Sequence, residues 1–145
     1  MATNDSGGEG RFIGCKCAST TSSILPGRIL EYNSNGSVTL PTTTPNVDQL
    51  AGVSVTKTRT RTSASEEDIV VQTSGMTDIV CAANSAFSRG KFVRAATAGT
   101  GAGYASTAAE ATTITSTALA ACIGKVVVPD ATTTGTTVVV NVNNL

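Results

Sequence analysis

The sequence predicts an all-β fold, either a barrel or a sandwich, and three features of the chain support this prediction. Threonine and valine are abundant, and their β-branched side chains fit the pleated surface of a strand. Short runs of strand-forming residues are separated by turn signals, among them Asn33 to Gly36, Pro41 and Gly135. Aromatic residues make up only 3% of the 145 residues, so the core has to be built from Val, Ile, Leu and Ala.

The strand-forming runs cover most of the chain after residue 10. We expect strands over residues 11–17, 27–32, 38–40, 51–62, 68–73, 78–82, 91–95, 123–128 and 136–142. Gly75 is expected to lie in a turn between two of these strands. Residues 106–121 are rich in alanine and are the helix candidate, although Thr112 to Thr115 favours a strand. The sequence leaves this segment open between helix and strand.

The chain is expected to consist of a flexible N-terminal arm, residues 1–10, and a single β domain, residues 11–145. The arm is predicted from its Gly, Asp, Asn and Ser content, and it lacks the apolar segment of a secretory signal. A chain of 145 residues is long enough for one domain with its own core. No apolar run approaches the length of a membrane span, so we do not expect a membrane as a partner.

The two halves of the domain, residues 11–74 and 75–145, resemble each other and predict a pseudo-repeat. The sequence GRIL follows Cys17 in the first half much as GKFV follows Cys81 in the second. Further along, AGVSV in the first half matches IGKVV in the second. The alternative is that a chain rich in Thr, Val and Gly produces such echoes without being a repeat.

Catalysis and cofactor binding are not expected. The chain has no His, which removes the usual base of a nucleophilic triad and the usual mixed zinc site. Glu66, Glu67 and Asp68 are consecutive, so a strand would send neighbouring carboxylates to opposite faces. Cys15 and Cys17 are too close together for the usual zinc spacing. We therefore expect no enzymatic activity, no cofactor and no metal. The cysteines are expected to be reduced thiols of a protein made in the cytoplasm, and the alternative is a disulfide framework in an exported protein.

Residues 88–106, SRGKFVRAATAGTGAGYAS, look at first like the start of a phosphate-binding loop. Such a loop ends in Gly-Lys followed by Ser or Thr, because the lysine binds phosphates and the hydroxyl binds magnesium. Here Gly103 is followed by Tyr104, and the glycine spacing also differs from the dinucleotide-binding fingerprint. The glycines are therefore expected to release the chain into an exposed loop.

Residues 56–62, TKTRTRT, are the best local candidate for a binding feature. If they form a strand, Lys57, Arg59 and Arg61 point to one face. One interpretation is a site for a polyanion or nucleic acid. The other is a solvated edge strand whose charges prevent aggregation and are neutralised by the acidic residues that follow. The equal numbers of basic and acidic residues, 10 of each, argue against nucleic acid as a partner.

The order of short motifs from Pro26 to Val142 resembles that of a known family. In chain order the motifs are PGRIL, LAGVSV, EEDIVVQTSG, SRGKFV, CIGKVVV and TTVVVNV. This order is similar to that of the tailed-phage head decoration proteins, also called capsid cement proteins. The chain departs from compact members in a Pro/Thr-rich segment, Pro41 to Pro45, and in a long Ala/Thr segment, residues 95–121.

The resemblance implies a small β-barrel or tulip-like domain that assembles as a homotrimer on the outer surface of an icosahedral phage head, in the virion. Its partner would be the major capsid protein, whose neighbouring subunits it would cement. Two alternatives are a fibre, pilus or surface-layer subunit and a polyanion-binding module. The candidate contacts with the capsid or with another subunit are Arg11, Phe12, Ile13, Lys57, Arg59 and Arg61.

Overall fold

The computed structural model describes residues 10–17, 24–41, 49–60, 67–82, 87–97, 102–107, 122–128 and 137–142. These residues form strands and connecting turns and contain no helix, so the predicted all-β class is confirmed. The strands pair antiparallel and curl into a half-barrel. Residues 1–9 of the predicted arm and residues 108–121 of the helix candidate lie outside the described residues.

Ten strands are present in the described part of the chain. They are β1 (Arg11–Lys16), β2 (Ile29–Tyr32), β3 (Val38–Thr39), β4 (Leu50–Ser54), β5 (Arg59–Thr60), β6 (Glu67–Val80), β7 (Phe92–Ala95), β8 (Ala105–Thr107), β9 (Cys122–Val128) and β10 (Thr137–Val142). The main path through the sheet is β3-β2-β4-β6-β10-β9-β7-β8, and β1 and β5 also pair with β6. β6 is therefore the strand around which the others are arranged.

β6 runs for 14 residues through the position where the sequence predicts a turn. Gly75 has a φ of 91°, which glycine adopts without the steric cost that a Cβ atom brings. β1 and β4 pair with the part of β6 before Gly75, and β10 pairs with the part from Gly75 onward. The predicted turn is wrong because ladder hydrogen bonds to neighbouring strands keep both sides of Gly75 within one strand.

The predicted strand 51–62 is divided into β4 and β5. Residues 55–58 between them are not part of a strand: Val55 and Thr56 still bond to Val70 of β6, whereas Thr58 bonds to Ile24. Thr58 Oγ1 accepts a hydrogen bond from the Ile24 N–H at 2.8 Å, and the Thr58 N–H donates to the Ile24 carbonyl at 2.9 Å. The segment before β2 is held in this way, and the continuous strand that would align the three basic residues does not form.

The strands on the two sides of Gly75 pair in matching registers. We call β1 to β5 together with residues 67–74 the first group, and residues 75–80 together with β7 to β10 the second group. The β2–β4 ladder contains Ile29↔Val53, Leu30↔Gly52 and Glu31↔Leu50, with an irregularity after Leu30. The β7–β9 ladder contains Phe92↔Lys125, Val93↔Gly124 and Arg94↔Cys122, with an irregularity after Val93. Each residue of the first ladder thus has a counterpart at the same place in the second.

Each group of strands contains an apolar core at corresponding positions. In the first group the buried core residues are Cys17, Ile24, Leu30, Val38, Ala51, Ile69 and Val71. In the second group their counterparts are Cys81, Phe87, Val93, Ala105, Ile123, Val138 and Val140. The second core also takes in Ile29 and Val53 from the first group. Because a fully buried aliphatic side chain contributes about 2 kcal/mol, this apolar contact joins the two groups firmly.

Candidate functional site

β1 presents apolar side chains to solvent on the strand that follows the N-terminal segment. Phe12 is 57% exposed and Ile13 is 40% exposed, with exposed Arg11 and Lys16 at the two ends of the strand. Among the described strands β1 pairs only with β6, so none of them covers its second edge. Such an edge offers main-chain N–H and C=O groups to an extended segment of another chain. We call this surface the β1 edge.

A buried amide supports the sheet beneath the β1 edge. The Gln72 side chain is 3% exposed, and its Nε2 atom donates hydrogen bonds to the carbonyl oxygens of Ser74 and Met76, both at 3.0 Å. Gln72 also pairs in register with Phe12, and Thr73 Oγ1 donates to the Arg11 carbonyl at 3.3 Å. Sequence reasoning missed Gln72, although a glutamine that directly follows the apolar run Ile69 to Val71 is a signal for a buried polar contact.

The predicted contact residues are divided between different elements. Arg11, Phe12 and Ile13 lie together on β1. Lys57 is exposed in the segment between β4 and β5. Arg59 lies in β5, directly opposite Asp68 of β6 in the ladder, and Arg61 lies outside the described residues. The ladder thus places an acidic residue beside the basic stretch, in line with the interpretation of TKTRTRT as a solvated edge.

A groove of about 270 Å³ lies where the start of β2 meets the second part of β6. It is lined by Pro26, Gly27 and Ser54 on one side and by Thr77 and Asp78 on the other, among other residues. The Ser54 hydroxyl donates to the Leu25 carbonyl at 2.8 Å and so serves the backbone. Within the described residues no cluster of three or more His, Cys, Asp or Glu side chains could hold a metal ion, and no helix is long and apolar enough to cross a membrane.

The glycine-rich segment contributes to the contact between the two groups of strands. Gly103 is buried, and its carbonyl accepts a hydrogen bond from the Ile29 N–H at 2.7 Å. The Arg28 guanidinium lies 4.2 Å from the centre of the Tyr104 ring, a favourable cation–π geometry. The prediction of an exposed loop is therefore wrong at Gly103, while Gly99 and Gly101 lie outside the described residues.

The cysteines are thiols shielded to different degrees. Cys17, Cys81 and Cys122 are buried, and Cys15 is half-buried. Burial raises the pKa of the Cys15 thiol, and a hydrogen bond with Tyr32 opposes this rise. Burial likewise raises the pKa of Cys122, against the attraction of the Arg94 charge. Because the thiolate is the nucleophile, both shifts make these cysteines less reactive at neutral pH.

We predict that iodoacetamide alkylates the native protein slowly at neutral pH and at Cys15 first. The rate of alkylation should rise with pH and should keep rising above the ordinary pKa of a thiol. Because the pKa of Cys15 is raised, this thiol stays protonated at pH values where an exposed thiol has ionised. Intact-mass spectrometry measures the number of added groups, with protein unfolded in guanidinium as the control in which every cysteine reacts. Rapid labelling of the buried cysteines in native protein at neutral pH would contradict the observed burial.

Comparison of the chain with protein-family models gives no match, and comparison with curated proteins and with solved structures gives no significant match. Family membership therefore does not follow from these comparisons. The function has to be inferred from the geometry of the β1 edge, from the two groups of strands and from the order of motifs along the chain.

Proposed function

We propose that the protein is a structural component of a virion that binds the outside of an icosahedral phage head. It cements neighbouring subunits of the major capsid protein and stabilises the expanded shell. In this proposal the protein acts as a homotrimer, and the domain is a tulip-like variant of a β-barrel. The observation that carries the proposal is the β1 edge, because it joins a strand edge that no described strand covers to exposed apolar side chains directly after the predicted arm.

The positions of the family-like motifs support the proposal. The motif PGRIL leads into β2, LAGVSV coincides with β4, and EEDIVVQTSG runs into β6. In the second group, SRGKFV leads into β7, CIGKVVV is β9, and TTVVVNV ends in β10. The motifs that suggested the resemblance are therefore strand sequences, as expected if they specify a shared β domain.

The internal repeat is part of the same proposal. The matching registers of the β2–β4 and β7–β9 ladders support a duplicated unit, and so do the two cores at corresponding positions. Under this proposal, residues 11–74 and 75–145 each supply one half of a cementing subunit.

The chemistry of the β1 edge suits a large protein partner. An extended segment of a capsid subunit could add to β1 through main-chain hydrogen bonds, while Phe12 and Ile13 occupy apolar pockets on the partner. Ordering the N-terminal segment costs conformational entropy, so weak single contacts would be combined over several subunits of a repetitive shell. These properties favour a multivalent structural role over binding of a small ligand.

Mixing the protein with expanded phage heads that lack a decoration protein tests this proposal. We expect saturable binding at a fixed ratio of copies to capsid subunits, measured by sedimentation of the loaded heads. Heads carrying the protein should also release their DNA at a higher temperature than bare heads. If the heads show neither stoichiometric binding nor a gain in heat resistance, the proposal is wrong.

A pair of matched substitutions locates the contact. Phe12→Glu places a charge on the β1 edge and should lower the affinity for heads at least tenfold, which is a loss of about 1.4 kcal/mol. Leu25→Glu is the control, because Leu25 has a similar exposure of 47% but lies outside β1. The proposed contact would have to move to another surface if both variants bind as the wild type does, or if both lose binding equally.

A further inference from the structure

The contact between the two groups of strands is a head-to-tail contact. Residues 27–29 of the first group lie against the second group through two main-chain hydrogen bonds. The Val80 N–H donates to the Gly27 carbonyl at 3.0 Å, and the Ile29 N–H donates to the Gly103 carbonyl at 2.7 Å. A two-fold relation between the groups would require the reciprocal bonds, and none forms between their counterparts in the described part of the chain. The contact is therefore one-directional.

The matching registers identify the counterparts of this contact at the two ends of the molecule. Residues 90–92 are the counterpart of residues 27–29, and we call them the tail segment. Gly36 and Lys16 are the counterparts of Gly103 and Val80, and we call them the head surface. The turns around the two glycines agree in detail: Gly36 N–H donates to the Asn33 carbonyl at 2.9 Å, and Gly103 N–H donates to the Ala96 carbonyl at 2.8 Å.

The counterparts are open where the internal contact is closed. A Cβ atom at Gly103 would lie 2.8 Å from the Ile29 carbonyl oxygen, whereas at Gly36 it would meet no atom of the described residues within 4 Å. A Cβ atom at Gly27 would lie 3.2 Å from Val80 Cγ2, whereas at Gly90 it too would meet none. Gly36, Gly90 and Lys16 are exposed. In the described part of the chain, the glycines that would form a second head-to-tail contact are thus exposed at both ends.

We infer that the protein associates with copies of itself head to tail, with the tail segment of one copy on the head surface of the next. In this contact the Phe92 N–H donates to the Gly36 carbonyl and the Lys16 N–H to the Gly90 carbonyl. Phe92 takes the place that Ile29 has in the internal contact. The occupant of the head surface is a second copy because the molecule already forms the same contact internally.

A head-to-tail contact closes into a ring or continues as a filament, depending on the rotation between copies. A closed ring of three copies would agree with the proposed homotrimer, and an open filament with a fibre subunit. The self-contact itself rests on the correspondence between the two groups and not on capsid binding.

Two variants, each blocking one end, test the contact by sedimentation velocity. Gly36→Asn puts a side chain on the head surface, and asparagine tolerates a positive φ better than most residues, here +81°. Phe92→Glu places a charge on the tail segment. Each variant alone is expected to be monomeric under conditions where the wild type assembles. Leu25→Glu, at an exposed position outside the head surface and the tail segment, is the control that should still assemble, and circular dichroism should show that all three variants remain folded.

Mixing the two blocked variants gives the result that is specific to a head-to-tail contact. The intact tail of Gly36→Asn and the intact head of Phe92→Glu should form a one-to-one dimer that grows no further. A wild type that stays monomeric at concentrations that saturate phage heads would overturn this inference and the proposed homotrimer, and it would leave the proposed binding to the capsid intact. Assembly that survives in either folded variant, or a mixture without the dimer, would overturn it as well.

Discussion

Replacing Gly124 by alanine is expected to destabilise the protein by about 3 kcal/mol and to lower its unfolding midpoint by roughly 10 °C. A Cβ atom at Gly124 would lie 2.1 Å from the Asn141 carbonyl oxygen, within the ladder that joins β9 to β10. The obstacle is backbone, so no rotation of a side chain removes it. β9 must separate from β10, which opens the second core over Val126 and Val142.

Gly52→Ala should have an effect of the same size, because Gly52 is the counterpart of Gly124 in the first group. Its Cβ atom would lie 2.2 Å from the Gln72 carbonyl oxygen, and its φ of 141° adds backbone strain. Gly14→Ala on β1 is the matched control. No atom of the described residues lies within 4 Å of its Cβ position, so its stability should change by no more than about 0.5 kcal/mol.

Thermal unfolding and urea titration of the three alanine variants decide this prediction. Wild-type stability in Gly52→Ala or Gly124→Ala would mean that β4 and β9 do not approach their neighbours as closely as described. A strongly destabilised Gly14→Ala would mean that β1 is packed on a face that is open in the structure.

Truncation of Ile29 to alanine is expected to cost about 3 kcal/mol, although Ile29 lies at the start of a short strand. Its side chain is fully buried and packs into the core of the second group, so the substitution leaves a cavity where the two groups meet. Phe92→Ala removes more atoms from the corresponding position of the second group. It should nevertheless cost only about 1 kcal/mol, because Phe92 is half-buried and contacts Lys125, whose Nζ lies 5.1 Å from the ring centre.

Chemical denaturation at low protein concentration, where self-association is negligible, measures this difference. The informative result is that Ile29→Ala lowers the free energy of unfolding more than Phe92→Ala does. Residue size alone predicts the opposite order. Equal costs, or a larger cost for Phe92→Ala, would show that the contact between the two groups is not one-directional, and the inferred self-contact would lose its basis.

Much of the fold was predictable from local patterns. In β10 the side chains of Val138, Val140 and Val142 are buried, and the positions between them are half-buried. In the sequence, the valine-rich stretch TVVVNV predicts this strand. The prediction of a turn at Gly75 was wrong because the local preference of a glycine carries no information about the strands that pair with it. β4 and β5 were predicted as one strand because the bond between Thr58 and Ile24 spans 34 residues and leaves no local signal.

The candidate site was predictable only in part. Arg11, Phe12 and Ile13 are contact candidates that follow the predicted arm, and the structure places them together on one strand. The basic stretch TKTRTRT was identified equally easily, because basic residues and threonines alternate in it. Its ladder partner Asp68 could not be assigned from sequence, because register is a property of two strands and not of one.

By itself, the sequence determined the all-β class, the mainly aliphatic make-up of the cores and the similar motifs in the two halves. These properties follow from side-chain shape and from alternation along a single strand, which are local. Tertiary structure alone decided that Gly103 is covered by Arg28 and Ile29 while its counterpart Gly36 stays open. That difference arises because the contact between the two groups covers Gly103 of the second group and residues 27–29 of the first. The equivalent residues, Gly36 and the tail segment, lie outside this contact, so they have different neighbours in space.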